Sequence, residues 1–541
     1  LRSGRCFTWV ISLAVYLLGI SFIALSPPWE GYDELAHYSY AQQIADTAKV
    51  PSFESGKLSM DIEHYKTTAP MPYLTAPPFD ENGGFTYRQW FSDPLSRANS
   101  AHDSPAHARV FTAGEIPNWQ AQHPPLYYRL IAPLITATAD QSWAAQLFWL
   151  RLISWSVAFA GLAIGVAATA EAIRVLYPRI TGDYCQVVSF WVLLFPGLLP
   201  EFARLGNDAL VMLFFGMVWA WAAKRAMSPL SWWWYVGLGV LLGLGGLTKV
   251  TFLPITLVMV GWLLWIGTAT DDARERARTW FGTLIVTGLF LTIASRGYLA
   301  NVADRGSLTG LVELTHSDDF ASWVWLAGFK HPQQLLKGLL NIGLTFIWGG
   351  TASSAYPPVI LVLPLLLMTT VLTLASFCRV RLREPLSVLA IWVTSVMFAS
   401  LVYYLLVRIA DDKVGSGTPG WYLHILMPPL SLLFALGANE LRSSFSSAAL
   451  AWRIWLGYSF CLFAGVTWLQ LSLFAGCTFK TATGRIYHSA DWSCLMEFAA
   501  IYRHLERLTF PVAGFAAFAI AMLLACFAVL PWGFIRSRSV A

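Results

Sequence analysis

The sequence predicts an all-α polytopic membrane protein with about 12 transmembrane helices, the apolar runs allowing 11–14. Three observations carry that reading. Only 12% of the 541 residues are charged, against roughly 25% in a soluble globular chain. Hydrophobic residues make up 56% and aromatic residues 15%. The apolar runs are continuous and ~20 residues long, whereas a barrel would alternate over ~10-residue segments. Helices satisfy their own backbone in lipid. This composition excludes a soluble enzyme, a disordered protein, a coiled coil and a nucleic-acid binder.

Apolar runs lie near 7–25, 144–176, 184–200, 208–226, 232–248, 250–267, 279–296, 358–377, 385–407, 421–440, 454–474 and 510–531. The first follows Arg2 and Arg5, lacks a small-x-small cleavage site and reads as an uncleaved signal anchor. Two shorter stretches, 124–139 and 335–349, are apolar as well. Lys and Arg in short loops stay cytoplasmic. The basic clusters are Arg2/Arg5, Arg174/Arg179, Lys224/Arg225, Arg274/Arg276/Arg278, Arg379/Arg381/Arg383, Arg442/Arg453 and Arg536/Arg538. Twelve spans put all of them on one side, so the two short stretches are expected as outer interfacial or re-entrant helices. Both termini are then cytoplasmic. The outer side receives a large first loop, 26–143, whose first part is acidic (Glu30, Asp33, Glu34, Asp46, Glu54, Asp61, Glu63, Asp80, Glu81). The loops 201–207, 297–357, 408–420 and 475–509 follow. Residues 1–440 read as a catalytic module and 441–541 as C-terminal helices with an outer loop. Long outer loops place the chemistry outside. The absence of an internal repeat argues against a repeat-built transporter.

Several polar groups gather at the outer edge. Asp33 and Glu34 follow the first span, and His37 stands four residues after Asp33, a spacing that shares a helix face. A carboxylate there can take a proton from an acceptor hydroxyl or hold a divalent cation. The same residues also suit an acidic helix N-terminus. Glu201, Arg204, Asn207 and Asp208 crowd a short loop, with Asp208 either a helix cap or a second site carboxylate. Lys249 either snorkels to headgroups or binds a lipid phosphate. His123-Pro124-Pro125-Leu126-Tyr127-Tyr128 offers a His and aromatic platforms, or an interfacial belt. Arg408 to Tyr422, with Asp411, Asp412, Lys413 and a Gly-rich run, reads as a lid or a solvated turn. Cys477 and Cys494 both fall in the outer loop 475–509, the oxidising side, and are expected to form a disulfide.

In order and sidedness these segments resemble the GT-C superfamily of membrane glycosyltransferases, over roughly residues 7–440. Asp33-Glu34 looks like the family's catalytic Asp-Glu. His123 to Tyr128 looks like its (H/K)PPLYY segment. Asn207-Asp208 looks like its second acidic loop and Thr248-Lys249 its recurrent Thr-Lys. Trp348-Gly349-Gly350 and Tyr422 to Leu436 look like later segments of bacterial members. The resemblance implies inverting transfer of a hexosyl or pentosyl group from a polyprenyl-phosphate donor. The acceptor would be a glycan, lipid or protein hydroxyl, and the active site would face the periplasm or exterior of a bacterial inner membrane. It makes Asp33 the general base, with Glu34 and Asp208 as catalytic partners. His37, His123, Tyr127, Tyr128, Arg204, Asn207, Lys249, Arg408 and Tyr422 would bind substrates. It leaves open a divalent cation, Mg or Mn, on Asp33 and Asp208. One departure stands out. Bacterial relatives often carry Gly-Arg-Tyr-Leu where this chain has Gly420-Trp421-Tyr422-Leu423, so Arg408 or Arg204 is the candidate replacement. Competing readings are a flippase for a lipid-linked sugar, an oligosaccharide ligase or polymerase, and a sugar-binding scaffold without activity.

Overall fold

Long apolar helices joined at one end by folded polar segments make up the chain, a multi-pass integral membrane protein. The computed structural model describes residues 2–52, 55–66, 69–70, 87–92, 101–178, 188–227, 231–305, 308, 320–353, 355–379, 384–411, 415–444, 448–480, 488–490 and 492–536. Glu54, Asp80, Glu81, Arg179, Arg381, Arg383, Asp412, Lys413 and Arg538 lie outside them.

In chain order the helices are α1 (Arg2–Leu25), α2 (Glu34–Thr47), α3 (Met60–Lys66), α4 (Tyr87–Ser92), α5 (Leu126–Ala137), α6 (Trp143–Leu176) and α7 (Leu198–Phe202). Then come α8 (Asp208–Met227), α9 (Trp232–Gly246), α10 (Phe252–Ala269), α11 (Ala273–Arg305), α12 (Phe320–Lys330) and α13 (Pro332–Ile347). Last are α14 (Val359–Arg379), α15 (Pro385–Asp411), α16 (Met427–Ser444), α17 (Ala448–Phe474), α18 (Trp492–Met496), α19 (Phe498–Glu506) and α20 (Phe515–Arg536). Two short antiparallel pairs complete the description: β1 (Lys57–Ser59) with β2 (Ala113–Pro117), and β3 (Thr478–Lys480) with β4 (His488–Ala490).

Eight helices among the described residues are long and apolar enough to cross a membrane. They correspond to the runs beginning near 144, 208, 250, 279, 358, 385, 421 and 454. The runs 7–25, 232–248 and 510–531 fold as helices whose apolar stretches are shorter. The run 184–200 departs from expectation. Its described part is a short helix ending at Trp191, a 3-10 turn over Val192–Leu194, and α7. Pro196, Gly197 and Pro200 interrupt it, because proline lacks an N–H and crowds the preceding turn. The pieces are held from outside: Trp191 Nε1 donates to Ser459 at 3.1 Å and Gly197 N to the Ile347 carbonyl at 3.0 Å. The two shorter stretches expected as helices form α5 and α13.

The two ends of the bundle differ in charge. Arg174, Lys224, Arg225 and Arg442 close the last turns of α6, α8 and α16 at one end, where Arg225 pairs with Glu275 of α11 at 2.9 Å. The opposite end holds the folded polar segments, including the disulfide between Cys477 and Cys494.

There Glu30, fully buried, fastens three segments. Thr351 and Ser353 hydroxyls donate to it at 2.6 Å each, the Tyr87 hydroxyl of α4 donates as well, and Gln470 of α17 donates to Thr351 at 2.9 Å. Burial raises the Glu30 pKa against the pull of these donors. Removing the acceptor strands buried hydroxyls, so Glu30→Ala should cost about 2–4 kcal/mol. Glu30→Gln should cost less and flatten the pH dependence. A carboxyl whose folded pKa is raised loses stability as pH climbs above its unfolded value. Thermal unfolding in detergent from pH 5 to 8 checks both; equal losses for the two variants would contradict this account.

Candidate active site

The turn that leaves α1 shapes the site. Trp29 and Asp33 both adopt left-handed backbone, φ 65° and 61°. Such conformations outside glycine gather where surrounding structure over-determines them, often at functional sites. Trp29 is held by edge contacts to Tyr38, Tyr65 and Trp143. Asp tolerates this conformation better than most residues. Gly31 between them has no room for a side chain, since a Cβ would lie 2.4 Å from Glu34 and 2.6 Å from Arg204.

Asp33 stands just before α2, partly exposed, and its Oδ1 accepts from Trp119 Nε1 at 2.8 Å. Trp119 opens a 3-10 turn capped by Asn118, whose amide also donates to the Ala36 carbonyl at 3.0 Å. The indole that orients Asp33 is therefore fixed to α2 itself.

Glu34, though adjacent, turns elsewhere. Its Oε1 accepts from Arg151 Nε at 2.7 Å and Leu205 N at 3.0 Å; its Oε2 accepts from Arg151 Nη2 at 2.7 Å and Gly31 N at 3.0 Å. Arg151 also donates to the Ser26 and Pro27 carbonyls, both at 2.8 Å. Burial would raise the Glu34 pKa, but Arg151 outweighs it and the pKa is lowered. Both oxygens are engaged within the fold, the geometry of a buried ion pair.

Asp208 opens α8, and both its oxygens face Lys249, at 2.7 and 2.9 Å. Arg204 Nη2 donates to Asp208 at 3.0 Å and to Glu201 at 3.1 Å, while Nη1 holds the Tyr32 carbonyl at 2.6 Å. Arg204 Nε is buried and has no protein partner. Burial works against the Arg204 charge, but Glu201 and Asp208 outweigh it and raise its pKa. Burial lifts Glu201 the other way, to about 8.

The remaining motif residues join the same cluster. His37 Nδ1 bonds the Tyr128 hydroxyl at 2.9 Å, and Tyr128 stacks on Tyr40 at 3.7 Å. Burial, with Arg204, His123 and Lys249 nearby, pushes the His37 pKa well below its usual value, so it is neutral. The Tyr127 hydroxyl accepts from Gly206 N at 3.1 Å and meets Ser154 at 2.7 Å. Tyr40 donates to the His123 carbonyl at 2.9 Å, and Leu126 N donates to the Leu247 carbonyl at 3.3 Å. Asn207 reaches the Thr248 carbonyl at 3.5 Å. Lys249 Nζ sits 5.2 Å from the Tyr422 ring, and Tyr32 stacks on Trp421 at 4.4 Å. Tyr32 also donates to the Gly349 carbonyl at 3.0 Å. Segments near 33, 125, 207, 249, 349 and 421 thus meet in space.

Arg408 lies against the Gly415–Gly417 turn, where a Cβ on Gly417 would come within 3.2 Å of its guanidinium. Of the two arginines proposed to replace the missing one, only Arg204 pairs with Asp208. Sequence reasoning did not single out Arg151, Glu30, Trp119 or Glu201 in these roles. Arg151 had a readable signal, since a charge inside an apolar run is costly and seldom idle.

Asp33 and Asp208 each already have protein partners in this arrangement. Asp208 is already neutralised by Lys249 and Arg204, Asp33 bonds an indole, and no group of three or more His, Cys, Asp or Glu gathers among the described residues. Calcium takes six to eight oxygens and magnesium a near-octahedral set.

No family model and no curated protein matches the chain. Among solved structures it is similar to ArnT from Cupriavidus metallidurans in the apo state, with 14% identity over 98% of this chain and 75% of that one, TM-score 0.41. The undecaprenyl phosphate-bound form gives 12%, 98%, 77% and 0.42. It is also similar to the Archaeoglobus fulgidus oligosaccharyltransferase in complex with Zn and sulfate, with 12% identity over 92% of this chain and 61% of that one, TM-score 0.44.

Proposed function

We propose that this protein is a membrane glycosyltransferase that moves a sugar from a polyprenyl-phosphate donor to an acceptor hydroxyl, with inversion. One observation carries the reading. The six segments that resemble GT-C motifs are far apart in sequence, yet they assemble one cluster in which the Asp33 carboxylate acts on Arg204 and Lys249 lies beside Asp208. Asp33 is the general base and takes the acceptor proton as the new sugar–oxygen bond forms. The bond from the sugar to the donor phosphate breaks with its electron pair going to the phosphate, which gains a negative charge. Lys249 and Arg204 meet that charge in a dry setting, where a fixed cation is worth most. Glu34 is assigned to structure, holding the turn that presents Asp33. His37, Tyr128, Tyr32 and Trp421 provide flat and hydrogen-bonding surfaces suited to a sugar. The site lies at the end of the bundle opposite the basic clusters, so it faces outward, the periplasm of a bacterial inner membrane, if positive charge stays inside.

The test uses the purified chain in detergent with radiolabelled polyprenyl-phosphate sugars and measures release of polyprenyl phosphate. Lys249→Ala is expected to lower kcat by about 10²–10³, the scale for removing one donor to a developing oxyanion. Wild-type protein that moves labelled lipid across liposome bilayers without ever releasing polyprenyl phosphate would establish the flippase reading instead.

A further inference from the structure

Glu201 has no part in the scheme above, yet it stands inside the cluster. It is the fourth residue of α7, and its side chain is 3% exposed. Arg204 Nη2 is shared between it and Asp208, and Lys249 closes the line from the other end. Four charged side chains therefore form one buried row, Glu201–Arg204–Asp208–Lys249. With all four ionised the row is neutral, and Arg204 is split between two carboxylates. With a proton on Glu201 the row carries one positive charge.

The surroundings limit what else can compensate. Facing Glu201 are Arg204 in its own turn, Asp208 on α8 and Lys249 ahead of α10, with Tyr422 of the 420–426 turn within electrostatic reach. His424 lies behind, 6.4 Å from the Phe202 ring, with Nε2 on the Phe346 carbonyl at 2.7 Å. Asp33 also acts electrostatically on Arg204. Gly206 leaves the guanidinium its place, since a Cβ there would come within 2.9 Å of Arg204. The buried Arg204 Nε–H has no protein partner and is a donor that a ligand can use.

We propose that Glu201 is a positioning residue that sets the charge of the phosphate seat. Its proton leaves Arg204 and Lys249 with one positive charge to spare for the lipid phosphate, and its ionisation withdraws that charge. The inference rests on the assignment of Arg204 and Lys249 to the donor phosphate. Glu201 changes ionisation in mildly alkaline solution, because burial and Asp208 together resist its charge while Arg204 and Lys249 favour it. The seat is then strongest at neutral pH and weakens as pH rises.

The probe is methyl farnesyl phosphate in detergent micelles, a diester whose single charge is constant over the range used. Its binding to the full chain is measured by calorimetry from pH 6.5 to 9.5. Wild-type affinity should fall about tenfold across this range, the scale of one unit charge acting from nearby at an intermediate dielectric. Glu201→Gln should hold the neutral-pH affinity throughout, and Glu201→Asp should restore the falling limb with its midpoint moved. Parallel falls in wild type and Glu201→Gln overturn the proposal. If Glu201→Gln does not fold, an unmoved midpoint in Glu201→Asp overturns it equally. A wild-type chain that binds the probe at no pH has a different meaning: it removes the phosphate seat itself, and this inference with it.

Discussion

Asp33→Asn should lower sugar transfer by about 10²–10⁴, the usual worth of a positioned general base, and leave the fold intact. The substitution suits this position. Asn adopts left-handed backbone at least as readily as Asp, so the φ of 61° is retained. Its amide oxygen can still accept from Trp119 Nε1, the bond that Asp33 makes at 2.8 Å. What disappears is the capacity to take a proton. Two measurements are needed together: the initial rate of polyprenyl phosphate release, and the unfolding temperature in the same detergent. An unchanged rate in a folded variant would refute the assignment. A lost rate with a lowered unfolding temperature would show only that the turn had collapsed.

The second large effect is on stability. Arg151→Met should cost about 3–5 kcal/mol, because it leaves the Glu34 carboxylate buried with only two backbone N–H groups. Pairing it with Glu34→Gln should recover much of the loss, since a neutral amide no longer needs a buried cation. Thermal unfolding of the two single variants and the double variant forms a cycle that isolates the pair. Additive losses would mean that the two side chains do not act as a unit. The pH dependence has a definite sign. Glu34 is depressed below its ordinary value, so the pair stabilises fully above the unfolded carboxyl pKa, about 4.5. That stability is lost as pH falls through the depressed value.

The bundle was legible in the sequence because apolar length and the position of Lys and Arg are local properties. The site was legible as a set of segments, but not as roles, because a role depends on partners far along the chain. Asp33 and Glu34 show why. Neighbours of the same charge suggest a pair with one task, and Asp33 with His37 suggest one helix face. The left-handed backbone at Asp33 removes it from the helix and sends the two carboxylates apart, one to Trp119 and the other to Arg151. No residue type announces that turn, since the glycine stands two positions earlier. The run 184–200 misled in another way. Its apolar length reads as a helix, while Pro196, Gly197 and Pro200 carry the contrary signal and prevail. The short strand pairs were invisible because three to five residues cannot establish an alternation.

The packing of α1 against α20 has a consequence for biogenesis. The first helix described here and the last are neighbours in the bundle, yet nearly the whole chain of 541 residues separates them. At about 5–20 residues per second, α1 waits on the order of half a minute or longer after its own synthesis before α20 emerges. During that interval the face it will share with α20 is covered by lipid or by the insertion machinery. The turn after α1 carries Glu30 and Asp33, and Glu30 reaches Gln470 through Thr351. The site therefore takes its final form only when the C-terminal helices have entered the membrane. A ribosome that stops early leaves a chain with every motif of the site and no closed site.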